Sequence, residues 1–124
     1  MAVSIRLLLA DDHRLFADAL RALLAADERM EVVGYATNGE EAVELATTLR
    51  PDVTLMDISM PVLDGFEATR RIRAAIPCAR VLMVTGSNSP ADVQRAREAG
   101  AAAYVTKDRI AGELVNAILE AGSG

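Results

Sequence analysis

The chain has 124 residues, 52% of them hydrophobic and 25% charged, and carries a net charge of −5 from 13 basic and 18 acidic side chains. That length suits one domain with one packed core, expected to be soluble. An acidic chain with two Tyr, two Phe and no Trp is a poor nucleic-acid binder, and no apolar run approaches the roughly 20 residues of a bilayer span. The short stretch Ile5–Ala10 is interrupted by Arg6 and closed by Asp11 and Asp12, which is not the pattern of a signal peptide. A cytoplasmic domain is therefore expected, with no direct nucleic-acid binding and no membrane contact. Cys78 stands alone, so no internal disulfide forms, and no Cys/His cluster suggests zinc. The expected place for Cys78 is a small core position at a strand start.

Strand-like and helix-like segments alternate along the chain. Ser4–Ala10, rich in Ile and Leu, predicts a buried strand, and Leu15, Phe16, Ala19, Leu20, Leu23 and Leu24 then recur at helical spacing. Met30–Ala36 reads as the second strand. Thr37 followed by Glu40 three residues later is a helix-start signal, and Pro51 closes the helix that follows. Asp52–Met56 is the third strand. Asp64 opens a helix reaching about Ile76, whose Arg70, Arg71 and Arg73 read as a solvated helix face rather than a phosphate-binding patch.

Arg80–Val84 is the fourth strand, Ser89-Pro90 starts the next helix and Gly100 stops it. Ala102–Val105 is the fifth strand. Ile110, Leu114, Ile118 and Ala121 line a last helix, and Gly122-Ser123-Gly124 reads as a frayed end or the start of a linker. Strict alternation argues for an α/β fold: a parallel sheet covered by helices on both faces, with right-handed crossovers. The pattern alone leaves the strand order open.

In such sheets ligands bind beyond the carboxyl ends of the strands. Four of the five predicted ends carry reactive groups: Asp11-Asp12, Asp57, Thr85-Gly86 and Thr106-Lys107. The second ends on Thr37-Asn38, which is turn chemistry. One aspartate after a strand is ordinary turn or cap chemistry, and a lone threonine or lysine there is equally plain. Their joint occurrence is what points to a site.

Three carboxylates in one crevice repel, so at least one pKa rises unless a cation intervenes. Oxygen ligands with room for water suit magnesium. A cation, an amine and a hydroxyl around one carboxylate suit phosphoryl transfer, with the carboxylate itself as nucleophile.

With these residues in view, the sequence resembles the response-regulator receiver family of two-component signalling from Ile5 to about Ala121. The motifs that carry the resemblance are Asp11-Asp12, Asp57 with Met60-Pro61 and Asp64-Gly65, Thr85, Tyr104 and Lys107. It implies a flavodoxin-like, doubly wound five-stranded sheet in the order 2-1-3-4-5. It also implies that Asp57 accepts a phosphoryl group from a sensor histidine kinase, as in a phosphorelay. Asp12, Asp57 and the backbone carbonyl of Ser59 would bind Mg2+, and Asp11 would act through a water. Lys107 would contact phosphoryl oxygens, and Thr85 would bond the phosphoryl group while Tyr104 swings inward. Gly86 leaves space for that movement, whereas Tyr104 within a buried strand also reads as core.

Such a domain is a signalling switch that catalyses only its own phosphorylation and slow autodephosphorylation. One departure is Asp108 after Lys107, where many receivers have proline in a cis bond. A cis bond to a non-proline residue is costly, so a trans bond or a strained loop is expected. The Lys-Asp pair and Asp11-Asp12-His13 resemble the nitrate-regulator, or LuxR-like, branch, whose members carry a C-terminal helix-turn-helix DNA-binding domain. Residues 1–124 then form a single receiver domain, either excised from a longer regulator of transcription that adds a DNA-binding domain, which is the favoured expectation, or standing alone, with a phosphorylation-dependent homodimer as a further partner. His13 reads as a helix-start surface residue or a neighbour of the metal.

Three other readings compete. A phosphatase resembling the haloacid dehalogenase group needs a second Asp two residues after the nucleophile, and Ser59 stands there. A nucleotide- or flavin-binding module needs a Gly-rich loop after the first strand, where Asp11-Asp12 would repel phosphate unless a metal intervened. A pure interaction domain has no use for the acidic set.

Overall fold

The computed structural model describes residues 4–123. The elements are β1 (Ile5–Ala10), α1 (Arg14–Ala25), β2 (Met30–Ala36), α2 (Gly39–Leu49), β3 (Val53–Met56), α3 (Gly65–Ala75), β4 (Val81–Thr85), α4 (Pro90–Ala99), β5 (Ala103–Thr106) and α5 (Ile110–Ser123), with a 3-10 turn, Lys107–Arg109, leading into α5. All strands are parallel, in the order β2-β1-β3-β4-β5.

The apolar runs have both faces to fill, as a doubly covered sheet requires. Period-two alternation divides them. Leu8, Ala10, Met56, Val81 and Met83 pack with Ala42 and Ala46 of α2, Phe66 and Ile72 of α3 and Ala96 of α4. Leu7, Leu9, Leu55, Leu82 and Val84 pack on the other face with Leu20 and Leu24 of α1 and Leu114 and Ile118 of α5. Successive strand residues therefore serve opposite cores, and a one-residue slip would exchange every side chain between them.

Boundaries differ from the sequence reading by a residue or so: β3 starts at Val53, β4 runs to Thr85, and β5 spans Ala103–Thr106. Four local readings change for physical reasons. The cap of α2 is Asn38, not Thr37: Asn38 Oδ1 accepts the Glu41 N–H at 2.8 Å, and the Glu41 carboxylate reaches back to the Thr37 N–H at 2.7 Å. Asn caps as well as Thr, and the shift by one brings Glu41 to the reciprocal position.

Cys78 is exposed. The N–H of Ala79 closes a tight turn on the carbonyl of Ile76 at 2.9 Å, Ile76 fills the buried position, and the strand begins only at Val81. Arg73 is half-buried, unlike Arg70 and Arg71, because it caps the same turn by donating to the carbonyls of Pro77 and Ala79. The last helix runs on through Gly122 and Ser123, with the Arg80 guanidinium holding the carbonyl of Ala121 at 2.9 Å; Gly124 lies outside the described residues.

The segment after β3 is where the fold is tightest. Asp64 caps α3 by accepting the Glu67 N–H at 2.9 Å, and the Gly65 N–H bonds the carbonyl of Ile58 at 2.8 Å. A Cβ on Gly65 would stand 2.0 Å from the carbonyl oxygen of Asp57 and 2.9 Å from the Ile58 Cα, both backbone atoms that cannot move aside. Between them, Val62 has φ +71° and the Leu63 N–H bonds the carbonyl of Pro61 at 2.8 Å, a γ-turn that a β-branched residue adopts only under strain.

Gly65→Ala should therefore destabilise the domain by about 1–3 kcal/mol or more, the usual cost of overpacking a closed site. Urea unfolding will check this. The exposed Gly112→Ala, where a Cβ meets nothing within 4 Å, should instead gain stability, by up to about 1 kcal/mol.

Candidate functional site

The carboxyl ends of β1, β3, β4 and β5 converge on an open cleft of about 610 Å³ lined by His13, Asp57, Ser59, Thr85 and Lys107 among others. Each group is placed by its strand. Asp57 follows β3 in the sheet centre, and its N–H bonds the carbonyl of Ala10 in neighbouring β1 at 2.9 Å. Its side chain is 3% exposed, and Oδ1 accepts the Ile58 N–H at 2.8 Å, leaving Oδ2 toward the other charged groups. Asp11, just past β1, is also buried, whereas Asp12 points to solvent. Thr85 ends β4 and is buried beside Asp57.

Lys107 reaches in from the turn after β5. Its Nζ lies 2.8 Å from Asp11 Oδ2 and 3.4 Å from Asp57 Oδ2. The ammonium thus pairs most closely with Asp11 and only secondarily with Asp57. It also sits 4.4 Å above the ring of Phe16, which holds the aliphatic stem against α1. The peptide bond into Asp108 is trans, as are the others among the described residues, and the 3-10 turn absorbs the missing proline.

Four residues form a compact ligand set. Asp11, Asp12, His13 and Asp57 each offer one atom, all within 4.8 Å of one another. This donor set fits a divalent cation: hard oxygens, an open side for water and an excess of negative charge. Ser59 stands at the rim of the same cleft.

Tyr104 is turned to the β4–α4 loop, still within electrostatic reach of Asp92 and Asp57. It is half-buried against the α2–α4 side of the core, and its hydroxyl donates to the carbonyl of Ser87 at 2.8 Å. Burial pushes its phenol pKa up from the usual 10.0, partly offset by that bond.

Two contributions, from Tyr35 and Phe16, were not visible in the sequence, and His13 combines both of its sequence readings. Strand β2 does reach the site: the Tyr35 hydroxyl bonds the carbonyl of Asp11 at 2.8 Å. Phe16, seen only as one residue of an apolar helix stripe, becomes the platform for Lys107. His13 opens α1 and is largely exposed, as read, yet its ring is also turned into the acidic set. Its backbone N–H is held by Asp11 Oδ1 at 2.7 Å, so Asp11 caps the loop that presents it. Only its place beside Asp11-Asp12 signalled this.

Burial raises the Asp57 pKa above the ordinary 3.8, and the Asp11 carboxylate pushes the same way; Lys107, Thr85 and the Ile58 N–H oppose them without winning. A carboxyl whose folded-state pKa lies above its unfolded value favours the fold at low pH and loses that contribution as pH rises through the folded pKa. The buried Asp57 carboxyl is therefore a net burden on the fold at neutral pH. Without divalent cations, Asp57→Asn should unfold at a higher temperature than wild type at neutral pH. The difference should shrink toward the ordinary aspartate pKa of 3.8. Thermal unfolding of both proteins in a chelating buffer series will check this.

With the geometry in place, comparison with known proteins gives one consistent result. Residues 7–119 match the family described as the response regulator receiver domain. The chain is 39% identical over 120 residues to the transcriptional regulatory protein LnrK of Bacillus subtilis, covering 97% of this chain and 54% of that protein. It is 40% identical over 120 residues to the response regulator GacA of Pseudomonas aeruginosa, covering 97% and 56%. Its fold superposes on the signal receiver domain of the response regulator NarL from Mycobacterium tuberculosis with a TM-score of 0.93 and 34% identity, covering 98% of each. The chain spans about half the length of the two full-length relatives. It belongs to the response regulator receiver domain family, a signalling module of two-component systems, with relatives of the NarL/LuxR type.

Proposed function

We propose that this domain takes a phosphoryl group onto Asp57 from a sensor histidine kinase and uses it to control an output carried elsewhere in a longer regulator, namely DNA binding and transcription. The single observation that carries the reading is the placement of Asp57: a buried carboxylate with one oxygen held by the Ile58 N–H and the other facing Lys107 inside an acidic, cation-fitting cleft. The length of LnrK and GacA, nearly twice that of this chain, supports the appended output domain, and a cytoplasmic location follows from that role.

Asp57 Oδ2 attacks the phosphorus of the donor, the bond from phosphorus to the donor nitrogen breaks, and an acyl phosphate forms. Magnesium held by Asp12, Asp57 and the Ser59 carbonyl, with Asp11 acting through a water, would supply the charge that lets an anionic donor approach three carboxylates. Lys107 leaves its pairing with Asp11 to meet the new phosphoryl oxygens, being already within 3.4 Å of Asp57 Oδ2. The same groups hold an attacking water in slow autodephosphorylation, so the only chemistry is the domain's own.

Phosphorylation adds negative charge and strong acceptors at a position bordered by Thr85. A Thr85 hydroxyl drawn to the phosphoryl group opens space toward β5. Tyr104 is tied to the Ser87 carbonyl only by one bond of 2.8 Å, so it can move inward and reshape the α4–β5 surface. A homodimer formed on that surface is the simplest readout. Bonds to a charged group are worth roughly 1.5–3 kcal/mol, enough to invert a minor population.

Acetyl phosphate with magnesium should add one phosphoryl group to the wild type and none to Asp57→Asn by intact mass; equal labelling of both would place the acceptor elsewhere. Thr85→Ala should still be phosphorylated but switch poorly. Amide NMR shifts of 92–104 with and without beryllofluoride, a phosphoryl mimic, will check this, and equal movement in both proteins would remove Thr85 from the switch.

A further inference from the structure

Among the groups that face the carboxylates, the phospho-acceptor reading leaves the imidazole of His13 without a task. That ring is aimed into the centre. Its Nδ1 lies 3.0 Å from Asp11 Oδ1, 3.2 Å from Asp12 Oδ1 and 3.6 Å from Asp57 Oδ2, one contact to each carboxylate of the set. Two atoms bound to one cation at about 2.0–2.2 Å lie roughly 2.8–3.6 Å apart, from octahedral to tetrahedral angles. All three separations fall in that interval. The nitrogen, at hydrogen-bond distance from Asp11 Oδ1 and 3.5 Å from the Lys107 Nζ, is close enough to all three carboxylates to share a cation with them once that ammonium withdraws.

The surroundings favour the same role. The side chain is 61% exposed, so nothing buried has to be displaced for a cation to enter beside it. The backbone of His13 is pinned by Asp11 Oδ1, and α1 starts at the next residue, so the ring is carried by a fixed support. The ring of Phe16 borders the cleft and engages the Lys107 ammonium, which competes for the same carboxylates.

An all-oxygen set with waters suits magnesium, which takes imidazole reluctantly, while first-row transition cations accept nitrogen and oxygen together. We propose that His13 is a nitrogen ligand of the divalent centre, so that the site takes Mn2+ and, more tightly, Co2+ in preference to Mg2+. This rests on reading Asp11, Asp12 and Asp57 as a metal centre.

The test measures binding, not phosphorylation. Calorimetry with Mg2+ and Co2+ on wild type, His13→Ala and Asp12→Ala, and pulsed electron paramagnetic resonance of Mn2+ bound to the wild type, separate the possibilities. Wild type should prefer Co2+ over Mg2+ by on the order of tenfold or more, and the Mn2+ spectrum should carry nitrogen hyperfine coupling. His13→Ala should lose on the order of tenfold in Co2+ affinity with little change for Mg2+. The spectrum needs no variant, so a folding defect cannot imitate its result. Absence of nitrogen coupling, or equal Co2+ binding by wild type and His13→Ala, overturns the role of His13. If Asp12→Ala still loses Mg2+ in that case, the metal centre stands and only the histidine ligand fails. If Asp12→Ala binds both ions like wild type, the centre itself is wrong.

Discussion

The architecture depends on keeping one carboxylate out of water without neutralising it by a dedicated partner. Asp57 is 3% exposed, burial and Asp11 both oppose its charge, and the nearest ammonium pairs more closely with Asp11. A buried charge left partly unpaired is an unfavourable arrangement that the rest of the fold has to support. A divalent cation held by Asp11, Asp12, His13 and Asp57 would relieve the repulsion.

What supports that arrangement is the double cover of the sheet. Leucine and valine fill one face and a mixture of methionine, alanine and phenylalanine the other, with adjacent strand residues serving opposite cores. Past the register shift between Leu7 and Leu8, the carboxyl ends of the strands lie side by side, Ala10 between Ala36 and Met56, and Met56 beside Met83. Asp57 is fixed to β1 by its N–H and closed behind by Gly65, whose missing side chain lets α3 begin against the Asp57 carbonyl. Between these two, the γ-turn at Val62 takes up the strain of leaving the strand abruptly.

The outer half of the site is less constrained. Lys107 hangs from a single 3-10 turn and leans on Phe16, and Tyr104 is held at its hydroxyl by the β4–α4 loop through one bond. Asp57 and Thr85 are thus buried at the ends of central strands, whereas Lys107 and the Tyr104 hydroxyl are held by a short turn and by one loop carbonyl.

The sequence by itself determined the alternation of elements, because buried parallel strands and amphipathic helices leave distinct periodicities, and it located the aspartates, Thr85 and Lys107, because groups at strand ends share one edge of such a sheet. It also marked Asp64, Ser89 and Gly100 as helix boundaries, where capping chemistry is local. The tertiary structure alone decided what depends on distance between segments remote in the chain. That Lys107 pairs first with Asp11, that Phe16 supports it and that Tyr35 fastens Asp11 are contacts across strand order, which periodicity does not encode. The same holds for Cys78, which the turn closed by the Ala79 N–H on the Ile76 carbonyl carries out of the core before the strand begins at Val81, and for His13. Its neighbours in sequence mark it as a helix start or a neighbour of the metal, and only the meeting of β1 with β3 brings the third carboxylate, Asp57, to its ring.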